Sequence, residues 1–443
     1  MQRYKTTLGS IAEIFDGPHA TPKVTSHGPV FLGISNLSHG RLDLENTKHV
    51  SEHDYVRWTR RVTPTAGDIV FSYETRLGEA ALVPGDLRCC LGRRMGLIRP
   101  HRNLVDSRFL LYYYLGPQFQ ETIRKYTVHG STVDRIPLVD MPGFEVCIPD
   151  LAHQKRIGAI LGSLDDKIDL NRRTNDTLEA IARTLFKSWF VDFDPVHAKA
   201  KGKDLVGMDA ETAALFPSEF EDSAMGPIPK GWRASTLGDE VGRRGGIVQT
   251  GPFGSQLHAS DYVEEGVPVI MPRDIIRRRV ATSSIARIRE EDADRLAKHR
   301  VREGDLVYSR RGDVERHALI GNREVGWLCG TGCLLVRPGE QAPSSAFLSL
   351  FLDRPESRAW LTQHAVGATM ANLNTSILSA VPLLAPSDDI VAAFDAHVES
   401  WAKRMVSSEA ESRTLAAIRD TLLPRLISGE ISLDRMEGAG GTP

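Results

Sequence analysis

From Ile157 onward the apolar positions step by four and three residues: Ile157, Leu161, Leu164 and Ile168, then Leu178 and Leu185 beyond a polar interval at Asn171 and Asn175. Such alternation is a heptad seam, the pattern of a long helix that pairs with another helix. The same seam returns 237 residues later as Phe394, Val398, Trp401, Met405, Leu415 and Leu422. Ser408 and Ser412 fall at its polar positions, and Arg419 is its one break. Two matching seams in one chain predict two long helices, within 150–191 and 387–430, that pair with each other. A shared polar layer would fix their register. Leu164 and Trp401 occupy equivalent positions and are expected to be buried between the helices. At a rise of 1.5 Å per residue, the first helix spans roughly 60 Å.

Outside the seams, short apolar strands alternate with Gly- and Pro-rich breaks and a few helical stretches such as 107–122, an α+β pattern. This part of the chain is also duplicated. Gly67-Asp68-Ile69-Val70 answers Gly304-Asp305-Leu306-Val307, and Arg99-Pro100 answers Arg337-Pro338. Phe109-Leu110 answers Phe347-Leu348, and Gly130-Ser131-Thr132 answers Gly367-Ala368-Thr369. The order is kept throughout, so the chain is two copies of one unit. The predicted organisation is a domain over 1–149, a helix over 150–191, a linker over 192–230, a second domain over 231–386, a second helix over 387–430 and a flexible tail over 431–443. The linker is rich in charge, Ala, Gly and Pro and reads as a long surface connection.

Composition sharpens this only a little. With 443 residues and 41% hydrophobic content, the chain has material for at least two cores. Its net charge of −2 shows no basic surplus. Phosphate contacts need only a local basic face, however, and arginines cluster at Arg57, Arg60 and Arg61, at Arg277 to Arg279, and at Arg310 and Arg311. No apolar run reaches the roughly 18 residues of a membrane span, and no apolar leader opens the chain. The five cysteines lack disulfide-framework spacing, which fits reduced thiols and a cytoplasmic location. No phosphate-binding loop, methyltransferase motif or dinucleotide fingerprint occurs, and Cys329 and Cys333 have no second ligand pair nearby. No catalytic residue, metal site or cofactor of the chain's own is therefore expected.

Three pairs of corresponding loops are the candidates for contact with double-stranded DNA. Near the start of each unit lie His19 and Lys23 in the first copy and Ser255 and Gln256 in the second, in loops whose small residues would let backbone N–H groups approach phosphate. After the Gly-Asp strand come Tyr73 and Arg76, and Arg310 and Arg311. Arginine there suits bidentate readout of guanine. The third pair offers Ser131, Thr132 and Thr369.

Leu151-Ala152-His153-Gln154-Lys155-Arg156-Ile157 opening a heptad helix, Trp189-Phe190-Val191-Asp192-Phe193-Asp194-Pro195, Gly226-Pro227-Ile228-Pro229-Lys230-Gly231-Trp232 and Leu422-Leu423-Pro424-Arg425-Leu426 form an ordered set. It resembles type I restriction–modification specificity (S) subunits across essentially the whole chain. The resemblance implies two target-recognition domains, each reading half of a bipartite DNA site, and two helices that form an antiparallel coiled coil setting the gap. It further implies docking of methyltransferase (M) subunits, two of them expected, and of restriction (R) subunits. S-adenosylmethionine, ATP and Mg would belong to those partners. The competing reading is a stand-alone DNA-binding regulator or a duplicated protein scaffold.

Overall fold

The computed structural model describes residues 3–38, 40–45, 47–130, 133–339, 344–367 and 371–431. It divides into two compact units, Met1–Arg173 with Ser407–Pro443, and Thr174–Val406. The two long helices, Leu151–Phe190 and Asp388–Ser428, are each shared between the units.

In the first unit an antiparallel sheet runs in the order Ala12–Asp16, Met95–Pro100, Ile69–Ser72, Ala80–Leu82. A second sheet sets Thr25–Leu32 between Lys48–His49 and a parallel strand, Cys89–Leu91. The second unit repeats this wiring. Its antiparallel sheet is Ile247–Thr250, Cys333–Arg337, Leu306–Ser309, His317–Leu319. Its second sheet sets Val267–Ile270 between Ala286–Ile288 and a parallel strand, Leu328–Cys329. In both, the first strand after the opening pairs with the last before the long helix: Arg3–Thr7 with Glu145–Pro149, and Arg233–Thr236 with Pro382–Ala385.

The repeated Gly-Asp and Arg-Pro motifs have a physical reason. Gly67 and Gly304 both turn with φ +85°, a conformation open to glycine at little cost. The following Asp68 and Asp305, 2% and 1% exposed, accept from the backbone N–H of Thr65 and Arg302. Each also pairs with an arginine of the adjacent strand, Arg99 at 2.6 Å and Arg337 at 2.7 Å. A buried carboxylate thus pins a turn to a neighbouring strand in both copies, with its charge compensated.

The helices are not appendages. Gln154, fully buried at the first turn of the central helix, accepts from Asp106 N–H at 3.0 Å and donates to the Pro149 carbonyl at 2.8 Å. In the first unit Ile157, Leu161, Leu426 and Ile427 share a core with Phe109, Tyr113 and Phe144. In the second, Phe186, Trp189, Phe190, Phe394 and Val398 share one with Phe347, Phe351 and Trp232. Within each unit the helices run antiparallel: Asp165 meets Arg419 and Asn171 meets Ser408 in the first, while Asn175 meets Met405 and Phe186 meets Phe394 in the second.

Burial along the seam is uneven. Ile157, Leu161, Phe394 and Val398 are buried, but Leu164, Ile168, Leu178, Leu185, Trp401, Met405, Leu415 and Leu422 are half-buried. The expectation of full burial for Leu164 and Trp401 is therefore corrected. The four fully buried apolar seam residues, Ile157, Leu161, Phe394 and Val398, are those that sit inside a domain core as well as in the seam. The polar layer is deeper: Asn171 is 3% and Ser408 2% exposed. Asn171 donates to the Ser408 carbonyl at 3.3 Å, Glu411 at 2.8 Å and Ser412 Oγ at 3.2 Å. Nor does Arg419 break the packing. It joins Arg41 and the Tyr112 hydroxyl on Asp165, at 2.7, 2.7 and 2.6 Å. Burial alone would raise the Asp165 pKa, but hydrogen bonds from Tyr112 and Arg419 and the charges of both arginines lower it overall.

The stretch 192–230 is more than a surface connection. It carries helices Asp194–Ala200 and Ala210–Leu215 and a hairpin of Phe220–Ser223 with Gly226–Pro229. Val196, Phe216 and Ile228 are buried in the core of the second unit. Their irregular spacing shows no period because an aromatic cluster, with Trp189 against Phe216 at 5.2 Å, gathers them one by one.

Two stability tests follow. Phe394→Ala, which empties a site lined by Phe186, Trp189 and Phe190, is expected to cost about 3–5 kcal/mol in chemical unfolding. Asp165→Ala strands two part-buried guanidinium groups and is expected to cost about 2–3 kcal/mol, below the usual range for a fully buried pair. Because the folded Asp165 pKa is depressed, its contribution is present above the unfolded carboxylate value of about 3.9 and is lost as pH falls through the folded one. The wild-type advantage over Asp165→Ala should shrink below about pH 4 and vanish in stronger acid.

Candidate nucleic-acid interface

The antiparallel sheet of each unit ends in loops that converge. In the first unit Gly17 N–H donates to the Met95 carbonyl at 2.9 Å, Tyr73 N–H to Arg94 at 3.2 Å, and Ile136 N–H to Tyr73 at 2.9 Å. Glu74 and Val128 both bridge Arg135. The loops after Ala12–Asp16 and Ile69–Ser72, the turn Gly92-Arg93-Arg94 and the segments 127–130 and 133–135 therefore form one edge. The second unit repeats it: Gly251 N–H to Cys333 at 2.9 Å, Arg310 N–H to Gly332 at 2.9 Å, and Gly312 N–H to Ala371 at 3.0 Å. The second and third loop pairs, distant in sequence, come together here because Arg311 and Val366 both bridge Asn372.

The predicted readers divide on inspection. His19 and Lys23 of the first unit and Ser255 and Arg311 of the second are exposed. Arg310 is half-buried, with no hydrogen-bond partner for its Nε among the described residues. Tyr73 is 5% exposed, and its hydroxyl donates to Asp16 at 3.0 Å, a bracing role. Arg76 is tied to the Ile34 carbonyl and Glu79, and Gln256 accepts from Phe253 N–H. Ser131, Thr132 and Thr369 lie outside the described residues. The glycines of the first loop pair serve the fold: a Cβ on Gly17 would sit 2.5 Å from the Met95 carbonyl oxygen, and one on Gly251 2.0 Å from that of Gly330.

Of the arginine clusters, Arg277–Arg279 is partly spent inside its own unit. Arg278 pairs with Glu179 at 2.7 Å and donates to Ser349, and Arg279 reaches Met405 Sδ at 3.4 Å. Arg61 stays exposed, 3.7 Å from Asp16. The sequence reading missed Arg93, Arg94 and Arg135. The signal available was an arginine pair directly after Gly92, in a turn between two strands.

Burial displaces several titratable side chains from their ordinary ranges. Burial pushes the Cys89 and Cys90 thiols up to about 12, far from thiolate. It pushes His317, packed on Tyr308 and bonded to Ser349, down to about 3. Among the described residues no three His, Cys, Asp or Glu side chains are grouped to hold a metal, and no helix is long and apolar enough to cross a membrane.

A family profile described as Type I restriction modification DNA specificity domain matches residues 44–180. The chain is 29% identical over 413 residues to the type I restriction enzyme HindI specificity subunit of Haemophilus influenzae, covering 82% of this chain and 86% of that one. The chain is thus similar along most of its length to type I restriction enzyme specificity subunits. It is also 22% identical over 394 residues to the MjaIX specificity subunit of Methanocaldococcus jannaschii, covering 88% and 83%. The crystal structure of the type I restriction–modification S subunit from M. genitalium has the same fold, with a TM-score of 0.54 at 15% identity over 96% of both chains. For a specificity subunit, the converging loops are where two copies of one scaffold can differ without loss of fold.

The bracing assignment of Tyr73 is testable. Tyr73→Phe should cost about 1 kcal/mol, the worth of one hydrogen bond, in thermal unfolding. DNA affinity should change less than for removal of any exposed arginine of the same edge, in a filter-binding or anisotropy titration.

Proposed function

We propose that this chain reads a bipartite DNA site for a type I restriction–modification complex and carries no methyltransferase, ATPase or nuclease chemistry of its own. One observation carries the reading: each of two equivalent domains gathers its loops at one sheet edge and presents arginine there. Arginine's fork recognises guanine O6 and N7 in the major groove, and exposed basic side chains neutralise phosphate. Each domain reads one half-site, and the helix pair sets the gap between halves. Two M subunits and the R subunits dock on this frame in the cytoplasm. S-adenosylmethionine, ATP and Mg are bound by those partners. The similarity to specificity subunits favours this reading over a free-standing regulator or a scaffold.

Modularity is the expected outcome. Co-expressed with its M subunit, the chain should direct methylation to one bipartite sequence, read by methylome sequencing. Exchanging 1–149 for the counterpart from another family member should change one half only. Because helix residues complete each domain's core, the exchanged domain must match Ile157, Leu161, Leu426 and Ile427 to fold. A well-folded exchange that altered both halves, or methyl transfer by the purified chain alone, would refute the reading. DNA affinity of the complex should fall linearly on a log–log salt plot, with a slope of about −0.9 per phosphate contact.

A further inference from the structure

The two reading edges differ in one ordered way. At the junction where the loop after the Gly-Asp strand meets the neighbouring turn, the same backbone bond forms in both domains: Tyr73 N–H to Arg94 at 3.2 Å, and Arg310 N–H to Gly332 at 2.9 Å. In the second domain the loop supplies two arginines, Arg310 and Arg311, and the turn supplies Thr331 and Gly332. In the first domain the loop supplies Tyr73 and Glu74, and the turn supplies Arg93 and Arg94. Each junction therefore holds one arginine pair, delivered from opposite strands.

The members of each pair also match in setting. Arg93 and Arg311 are exposed, and their side chains have no partner among the described residues. Arg94 and Arg310 are half-buried. Arg94 holds φ +71°, a left-handed conformation that a side-chain-bearing residue rarely adopts, and its Nε lies 2.7 Å from Glu74 Oε2. The strain and the carboxylate together aim one guanidinium and leave the other free, the arrangement expected of a reader that must be placed before DNA arrives.

We infer that Arg93 and Arg94 are the base-reading pair of the first domain, equivalent in place and role to Arg310 and Arg311 of the second. The partner chemistry is a guanine edge in the major groove, to which an arginine fork donates two hydrogen bonds. This rests on the reading of the chain as a DNA-specificity subunit.

The test uses the full chain co-expressed with its M subunit and reads the methylome of cells carrying Arg93→Ala, Arg94→Ala, Arg93→Lys, Arg310→Ala or Arg311→Ala. Arg93→Ala or Arg94→Ala should relax discrimination at one or two base pairs of a single half-site, by roughly five- to hundredfold. Arg310→Ala or Arg311→Ala should act on the other half. Arg93→Lys keeps the charge but not the fork and should relax the same position as Arg93→Ala. Since Arg93 is exposed and unpartnered, its variants decide the matter even if Arg94→Ala fails to fold. Unchanged specificity with a salt slope lowered by about one would mark Arg93 as a phosphate contact and overturn the inference. So would Arg93 variants with no effect, or an effect on the half changed by Arg310→Ala. A wild-type complex that methylated no defined sequence would instead refute the parent reading.

Discussion

Neither domain closes its own core. The apolar face left open by each α+β layer is covered by parts of both long helices, with Ile157, Leu161 and Ile427 under the first and Phe186, Phe190 and Phe394 under the second. This one constraint organises the rest. A helix whose apolar stripe must satisfy a partner helix and a domain together cannot slide or rotate freely, because any shift uncovers surface on two sides. The buried Asn171 adds a second restraint, since its donors find carbonyl and hydroxyl partners in one register only.

Above that foundation each domain carries a rigid platform. The Asp68–Arg99 and Asp305–Arg337 pairs join a turn to the strand beside it in the sheet from which the converging loops spring. A charged pair with one member almost fully buried is costly unless its geometry is good, and both carboxylates take backbone donors as well. The loops can therefore vary in sequence while their starting points stay fixed. That is what a protein needs if it is to recognise different DNA with one architecture.

The nearly neutral net charge stops being a puzzle once the arginines are sorted by place. Several serve the fold: Arg41 and Arg419 on Asp165, Arg278 on Glu179, Arg99 and Arg337 on the buried aspartates. At the edges where the loops converge, those without a carboxylate partner among the described residues are few, Arg93, Arg135, Arg310 and Arg311. Counting arginines in the sequence mixes the two populations, so the clusters at 277–279 and 310–311 look alike until their places in the fold are known.

By itself the sequence determined the duplication, the α+β character of each copy, the two paired helices and their polar layer. These are periodic or repeated features, and period and repeat survive in one dimension because each is dictated by local geometry: 3.6 residues per turn, alternating strand faces, a glycine where φ must be positive. It could not say that the stretch 192–230 enters a core, since aromatic residues gathered from separate segments leave no period. It placed Tyr73 among the readers, because a strand end looks the same whether its side chain points to water or to Asp16. Nor could it join the turn at 92–94 to the loop at 73–76, which meet only through a sheet pairing between distant strands. Which arginines face outward, and which loops share an edge, is decided by nonlocal hydrogen bonds and burial, and those exist only in the folded chain.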